Sequence, residues 1–95
     1  MTSRKFPFPL GRTVATAGAL DALQRAGISP FNLLVRHQCG DWGELDTEDR
    51  AANERAVSEG TRILSVYHVG SDREKLWVIS EWDRSATTIL RADEY

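Results

Sequence analysis

His37, Cys39 and Asp41 fall within five residues of one another, inside the run Arg36-His37-Gln38-Cys39-Gly40-Asp41-Trp42-Gly43. A histidine beside a carboxylate can work as a general acid or base, because the carboxylate orients the ring and tunes its pKa. Asn53, Asp83 and Arg84 are polar residues that could complete such a site, so an enzyme built here would use His37, Asp41, Asn53 and Arg84. A Cys39–His37 nucleophile pair is poorly posed, since residues two apart at a helix end face different directions. A metal site from His37, Asp41 and His68 has neither H-x-x-x-H nor C-x-x-C spacing behind it, and no glycine-rich phosphate loop is present. No metal or cofactor is expected. Each of these residues also has a plainer use. His37 can cap a helix C-terminus with its charge on the dipole, and Asp41 can bond nearby backbone N–H groups. Trp42 can drop into the core, and Asp83-Arg84 can be a β-turn.

The elements that must position these groups follow from capping and periodicity. Thr16 caps a helix over Ala17–Ala26, with Asp21 and Arg25 as an i,i+4 pair and Gly27 as its stop. Ser29-Pro30 starts a second helix that runs to Gln38 and ends at Gly40. Asp46 caps a third over Thr47–Glu59, with an Arg50–Glu54 pair and Gly60 as its stop. Asn53 is a poor helix former in the middle of it, which calls for a compensating hydrogen bond. From Thr61 the period becomes two. Arg62–Val69, Lys75–Trp82 and Ser85–Leu90 read as a three-stranded meander, with turns at Gly70–Arg73 and Asp83-Arg84. Arg12–Ala15 is a candidate extra strand. The expected fold is α+β: one domain over 11–95 with three helices packed on a small antiparallel sheet, preceded by an extended arm over 1–10 whose Phe6 and Phe8 cover a core edge. Ser85–Leu90 is then a sheet edge to which a second copy could add, giving a homodimer.

Composition bounds the partners. The chain has 95 residues, 41% hydrophobic and 27% charged, with net charge −2. At that length only ~60–65% of the unfolded chain's surface can be buried. No apolar run is long enough to cross a bilayer and no apolar segment follows the basic start, so no membrane contact and a cytoplasmic location are expected. The single cysteine is expected to be a reduced thiol. Lys5 and Lys75 are the only lysines among 12 basic residues, and arginine suits bidentate contacts with carboxylates or partner surfaces.

The motifs Arg36-His37-x-x-Gly40-Asp41-Trp42-Gly43, Asp49-x-x-x-Asn53, Asp83-Arg84-Ser85-x-Thr87-Thr88-x-Leu90 and Glu94-Tyr95 resemble those of small bacterial proteins carried on plasmids and integrative elements. Members are usually labelled plasmid-related proteins and sometimes type I restriction subunits. The resemblance spans roughly residues 10 to 95 and brings no reaction, cofactor or catalytic residue. Arg91-Ala92-Asp93 departs from it, where relatives have an apolar residue and proline before the acidic pair. The resemblance implies a non-enzymatic mobile-element accessory protein that binds and inhibits or regulates a host defence or maintenance complex, of antirestriction or anti-CRISPR type. Its binding residues would be Arg36, His37, Asp41, Trp42, Arg62, Asp83 and Arg84. Two other readings stand beside it. One is a small hydrolase or nucleic-acid-modifying toxin using His37 and Asp41. The other is direct nucleic-acid binding through a stripe of Arg36, Arg62 and Arg84, against which the net charge counts.

Overall fold

Alternating apolar and small residues after Thr61 build a sheet with one face for the helices. The structure is a computed structural model and describes residues 7–95, so the expectation for Phe6 lies outside the described residues. The elements run β1 (Arg12–Ala15), α1 (Ala17–Ala26), α2 (Pro30–Gln38), α3 (Thr47–Glu59), β2 (Ile63–Val69), β3 (Glu74–Ser80) and β4 (Ala86–Arg91), then a 3-10 turn over Ala92–Glu94. Thr16, Ser29 and Asp46 cap the helices as expected, each side chain accepting a backbone N–H of its own first turn. Gly27 and Gly60 end α1 and α3 in the left-handed conformation.

The strands are ordered β1-β4-β3-β2. β2, β3 and β4 form the expected antiparallel meander, but β1 pairs parallel with β4, so the sheet is mixed. Ser85–Leu90 is therefore not a sheet edge: β1 covers it, with Arg12 opposite Ala86 and Ala15 opposite Ile89. β3 stops at Ser80, because Glu81–Arg84 form the tight turn, closed by Arg84 N–H donating to Glu81 O at 3.0 Å.

The register puts Ile63, Ser65 and Tyr67 of β2 on one face with Leu76, Val78 and Ser80 of β3 and Thr87 and Ile89 of β4. All three helices cover that face. α1 and α2 bury Ala19, Ala22, Leu23, Leu33 and Leu34 against Tyr67, Val69, Leu76, Val78 and Ile89. α3 brings Ala56 to a second cluster with Phe8, Trp42 and Ile63. Burying a Leu or Phe side chain contributes about 1.5–3 kcal/mol, so these two clusters supply most of the drive to fold. The expected Arg50–Glu54 pair does not form. Arg50 instead donates to Gly43 O at 2.6 Å and Leu45 O at 3.0 Å, satisfying carbonyls of the loop before α3. None of the helices is long and apolar enough to cross a membrane, among the described residues.

Candidate functional site

The run Arg36–Gly43 is spent on joining α2 to the edge of β2. Gly40 and Gly43 turn the chain with φ of 90° and 78°, which a side chain would resist. The backbone after Asp41 then lies against β2: Val66 N–H donates to Trp42 O at 3.1 Å and Glu44 N–H to Val66 O at 2.8 Å. Asn53 does the same two residues along the strand. Its amide donates to Leu64 O at 2.7 Å and accepts Leu64 N–H at 3.2 Å. Loop and asparagine together cover the backbone groups that an edge strand would leave to water or to another chain.

The side chains of the run hold this arrangement. Asp41 pairs with Arg36, Oδ2 to Nε at 2.7 Å, and accepts Gly43 N–H at 3.3 Å. The Arg36 guanidinium holds the Asp41 carboxyl below the usual carboxylate range. Arg36 also lies 4.5 Å above the Tyr67 ring, and the Tyr67 hydroxyl donates to Asp41 O. Burial pushes Tyr67 up to about 12. Trp42 is buried, its indole N–H donating to Glu54 Oε2 at 2.8 Å.

His37 is neither a cap nor open to a substrate. It is fully buried, at 0% exposure, with Phe8 edge-on at 5.3 Å and Trp42 edge-on at 5.9 Å between ring centroids. Its Nδ1 is 2.6 Å from Ser65 Oγ and its Nε2 is 2.9 Å from Ser80 Oγ. Ser80 Oγ is in turn 2.6 Å from Thr87 Oγ1, which donates to Leu10 O at 2.8 Å. The donor directions follow by elimination. Thr87 has one hydroxyl hydrogen and Leu10 O takes it, so Ser80 donates to Thr87 and accepts from His37 Nε2–H. Nδ1 is left as the acceptor of the Ser65 hydroxyl. Every member of this chain is satisfied only while the imidazole is neutral. Burial first, and then the positive charge of Arg84, push His37 down to about 3. The polar chain lies between the two apolar clusters, Ser65 standing on the inward face of β2 between Ile63 of one and Tyr67 of the other.

Arg84 sits in the β3–β4 turn at φ 59°. Its guanidinium donates to Thr61 O at 2.6 Å, Glu81 O at 2.8 Å and Ala56 O at 2.7 Å, tying the end of α3 to the turn. Asp83 accepts Ser85 N–H at 3.1 Å, and that bonding to Ser85 keeps its carboxyl below the ordinary range. Arg62 stands apart. It is half-exposed, 4.0 Å from Glu81 and 5.8 Å from the Tyr95 ring. Arg36 lies over Tyr67 on the helix face while Arg62 is on the opposite face, so these arginines do not form a one-sided stripe. Cys39 is a partly buried free thiol. No group of three or more His, Cys, Asp or Glu side chains that could hold a metal ion occurs among the described residues.

Of the residues singled out from sequence, then, His37, Trp42 and Arg84 converge around Phe8, Arg36 and Asp41 pair on the neighbouring turn, and Asn53 and Asp83 bond backbone elsewhere. Sequence reasoning missed Ser65, Ser80 and Thr87, the partners of His37. Their signal was present, as hydroxyl residues at inward positions of strands otherwise filled by Ile, Tyr, Val and Leu. No family model, no curated protein and no solved structure matches this chain.

Proposed function

We propose that this chain is a small non-enzymatic protein that works by binding another protein. In keeping with its resemblance to plasmid and mobile-element proteins, the partner belongs to a host defence or element-maintenance complex that the chain blocks or regulates. The observation that carries the binding reading is the outer edge of β1, which no other strand covers among the described residues. Arg12 and Thr16 donate to Ser85 O and Ile89 O of β4, so the two-residue period turns the N–H and C=O groups of Thr13 and Ala15 outward. Beside that edge Val14, Leu20 and Phe31 border a shallow groove of about 150 Å³. With Val35, one helical turn on, they make up four of the six large apolar residues exposed among the described residues, and Phe31 is 72% exposed. An open strand edge next to an apolar groove suits an extended segment that adds a strand and inserts a side chain. Against a hydrolase or nucleic-acid-modifying reading stands the complete burial of His37.

Two substitutions test it without touching the core. Thr13→Pro removes an outward N–H, and Phe31→Glu charges the groove. Tagged wild-type protein and both variants are incubated with host lysate, and the same preparations are assayed for relief of restriction or CRISPR interference in cells. The reading expects a defence or maintenance protein bound by the wild type and lost with both folded variants, together with the cellular effect. Equal capture and equal effect by all three would overturn it.

A further inference from the structure

The sheet face turned away from the helices carries a groove of about 330 Å³ lined by Arg62, Leu64, Trp77, Ile79 and Tyr95. Its floor follows from the register: Leu64 lies opposite Ile79 and Val66 opposite Trp77. Tyr95 leans over this floor with its ring centroid 4.8 Å from that of Trp77 and its plane tilted by 57°. Its volume is at the lower end of small-molecule sites, which run from about 300 to 1,000 Å³.

Two polar groups in this apolar lining lack full partners. The Trp77 indole N–H is buried and has no acceptor among the described residues, whereas the Trp42 indole has Glu54. Folded proteins rarely leave a buried donor unanswered. The second group is the Arg62 guanidinium, whose contact with Glu81 is at 4.0 Å, the limit of an ion pair. Arg84, by contrast, is fully engaged by backbone carbonyls. Both partner-poor groups lie against the one Tyr95 ring, and the Trp77 N–H has no accessible surface with that ring in place, so a single anionic group meets both only once the ring swings aside. Lys75, exposed on the same face beyond Trp77, adds a second positive charge. A nucleobase fits poorly, because the Tyr95 hydroxyl is the one side-chain acceptor among these lining residues and cannot by itself read the donors and acceptors of a base edge.

We propose that this groove binds a small carboxylic acid with an aromatic or branched aliphatic body. The carboxylate accepts from Arg62 and from Trp77 Nε1–H, and the body rests on Leu64 and Ile79 with Tyr95 as a movable cover. The site lies on the opposite side of the sheet from Phe31 and does not depend on the protein-binding reading.

The full chain, labelled with ¹⁵N, is titrated with phenylacetate, with neutral phenylacetamide and with cationic phenethylamine, while the indole N–H resonances are followed. Trp77→Phe identifies the Trp77 signal by its loss. Phenylacetate is expected to shift that signal saturably with Kd of about 1 mM. Loss of a charge-assisted bond should make phenylacetamide, and phenylacetate on Arg62→Gln, weaker by about tenfold. Phe31→Glu should leave the titration unchanged, which separates this site from the docking surface. An unmoved Trp77 signal, an equal response to phenethylamine, or undiminished binding by a folded Arg62→Gln variant would each overturn the proposal.

Discussion

Lowering the pH from 7 to 5 should load the unfolded chain with a proton that the folded protein refuses. In the unfolded chain His37 titrates near its ordinary 6.5, and in the fold it is pushed down to about 3. The stability that neutral His37 carries is therefore complete above about pH 6.5 and is lost progressively as the pH falls toward 3. Well inside that window each pH unit costs about 1.4 kcal/mol. Allowing for partial titration around 6.5, the step from pH 7 to 5 costs about 2 kcal/mol. Asp41, Glu44, Glu74, Asp83 and Glu94 are all held below their ordinary values of 3.8 and 4.5. Their contributions fade mainly below pH 5, and the other histidine, His68, paired with Glu44 Oε2 at 3.0 Å, is the same in wild type and in His37→Gln, so the difference between the two proteins over this interval isolates His37. For a domain of this size the loss corresponds to a fall in Tm of about 8–16 °C. Thermal unfolding followed by circular dichroism at pH 7, 6 and 5 measures it. His37→Gln keeps a donor for Ser80 but has nothing to charge. It should start less stable at pH 7 and then lose less than about 0.5 kcal/mol over the same interval. Imidazole nitrogen shifts give a reading that needs no variant: His37 should show the Nε2–H tautomer and no titration above pH 4.5, a bound that follows from its folded pKa of about 3. A wild-type Tm that is flat from pH 7 to 5, or a His37 ring that titrates near 6.5, refutes the reasoning.

Three further perturbations probe the parts around that network. Asn53→Ala strands both Leu64 backbone groups and should cost about 2–4 kcal/mol; urea unfolding within about 0.5 kcal/mol of wild type would show that water replaces the amide. Arg84→Gly relieves a left-handed backbone cost of about 1 kcal/mol but releases three carbonyls, so it should end less stable than Arg84→Lys, and a gain in stability would mean the guanidinium contributes nothing. Gly43 and Gly27 share similar backbone angles, φ 78° and 70°, yet a Cβ on Gly43 would lie 1.9 Å from Val66 O while one on Gly27 meets nothing within 4 Å. Gly43→Ala should therefore cost more than about 3 kcal/mol and Gly27→Ala about 1 kcal/mol, and equal losses in denaturant midpoint would remove the argument for close approach at β2.

The helices were legible because their signals are local. Thr16, Ser29-Pro30 and Asp46 each satisfy donors within their own first turn, and such pairings leave a mark in adjacent residues. The meander was legible for the same reason, its turns joining neighbouring strands. The parallel pairing of β1 with β4 was not, since nothing near Arg12 specifies Ala86 as its neighbour. At the candidate site, Asn53 was recognisable as needing a partner and finds one in Leu64. His37 was misjudged because a histidine at a helix end looks like a cap until the sheet supplies Ser65 and Ser80. Arg50 and Glu54 have the spacing of a pair, but the nearby Gly43 and Leu45 carbonyls and the Trp42 indole compete for them and win.

The pairing of β1 with β4 also has a consequence in time. Arg12 and Ala86 are partners across 86 − 12 = 74 positions. At roughly 5–20 residues per second, a ribosome makes β1 about 4–15 s before the strand it pairs with. α1 and α2, whose turns form in about a microsecond, spend that interval with their inward leucines facing no sheet. Such distant pairings are slow to close and late to reward the chain for closing them. Val14→Ala should accordingly speed unfolding more than it slows refolding, a low φ-value in the kinetic sense. The outward edge at Thr13 and Ala15 thus takes shape only after Ala86–Arg91 has been made, and a nascent chain that has not reached β4 cannot present it.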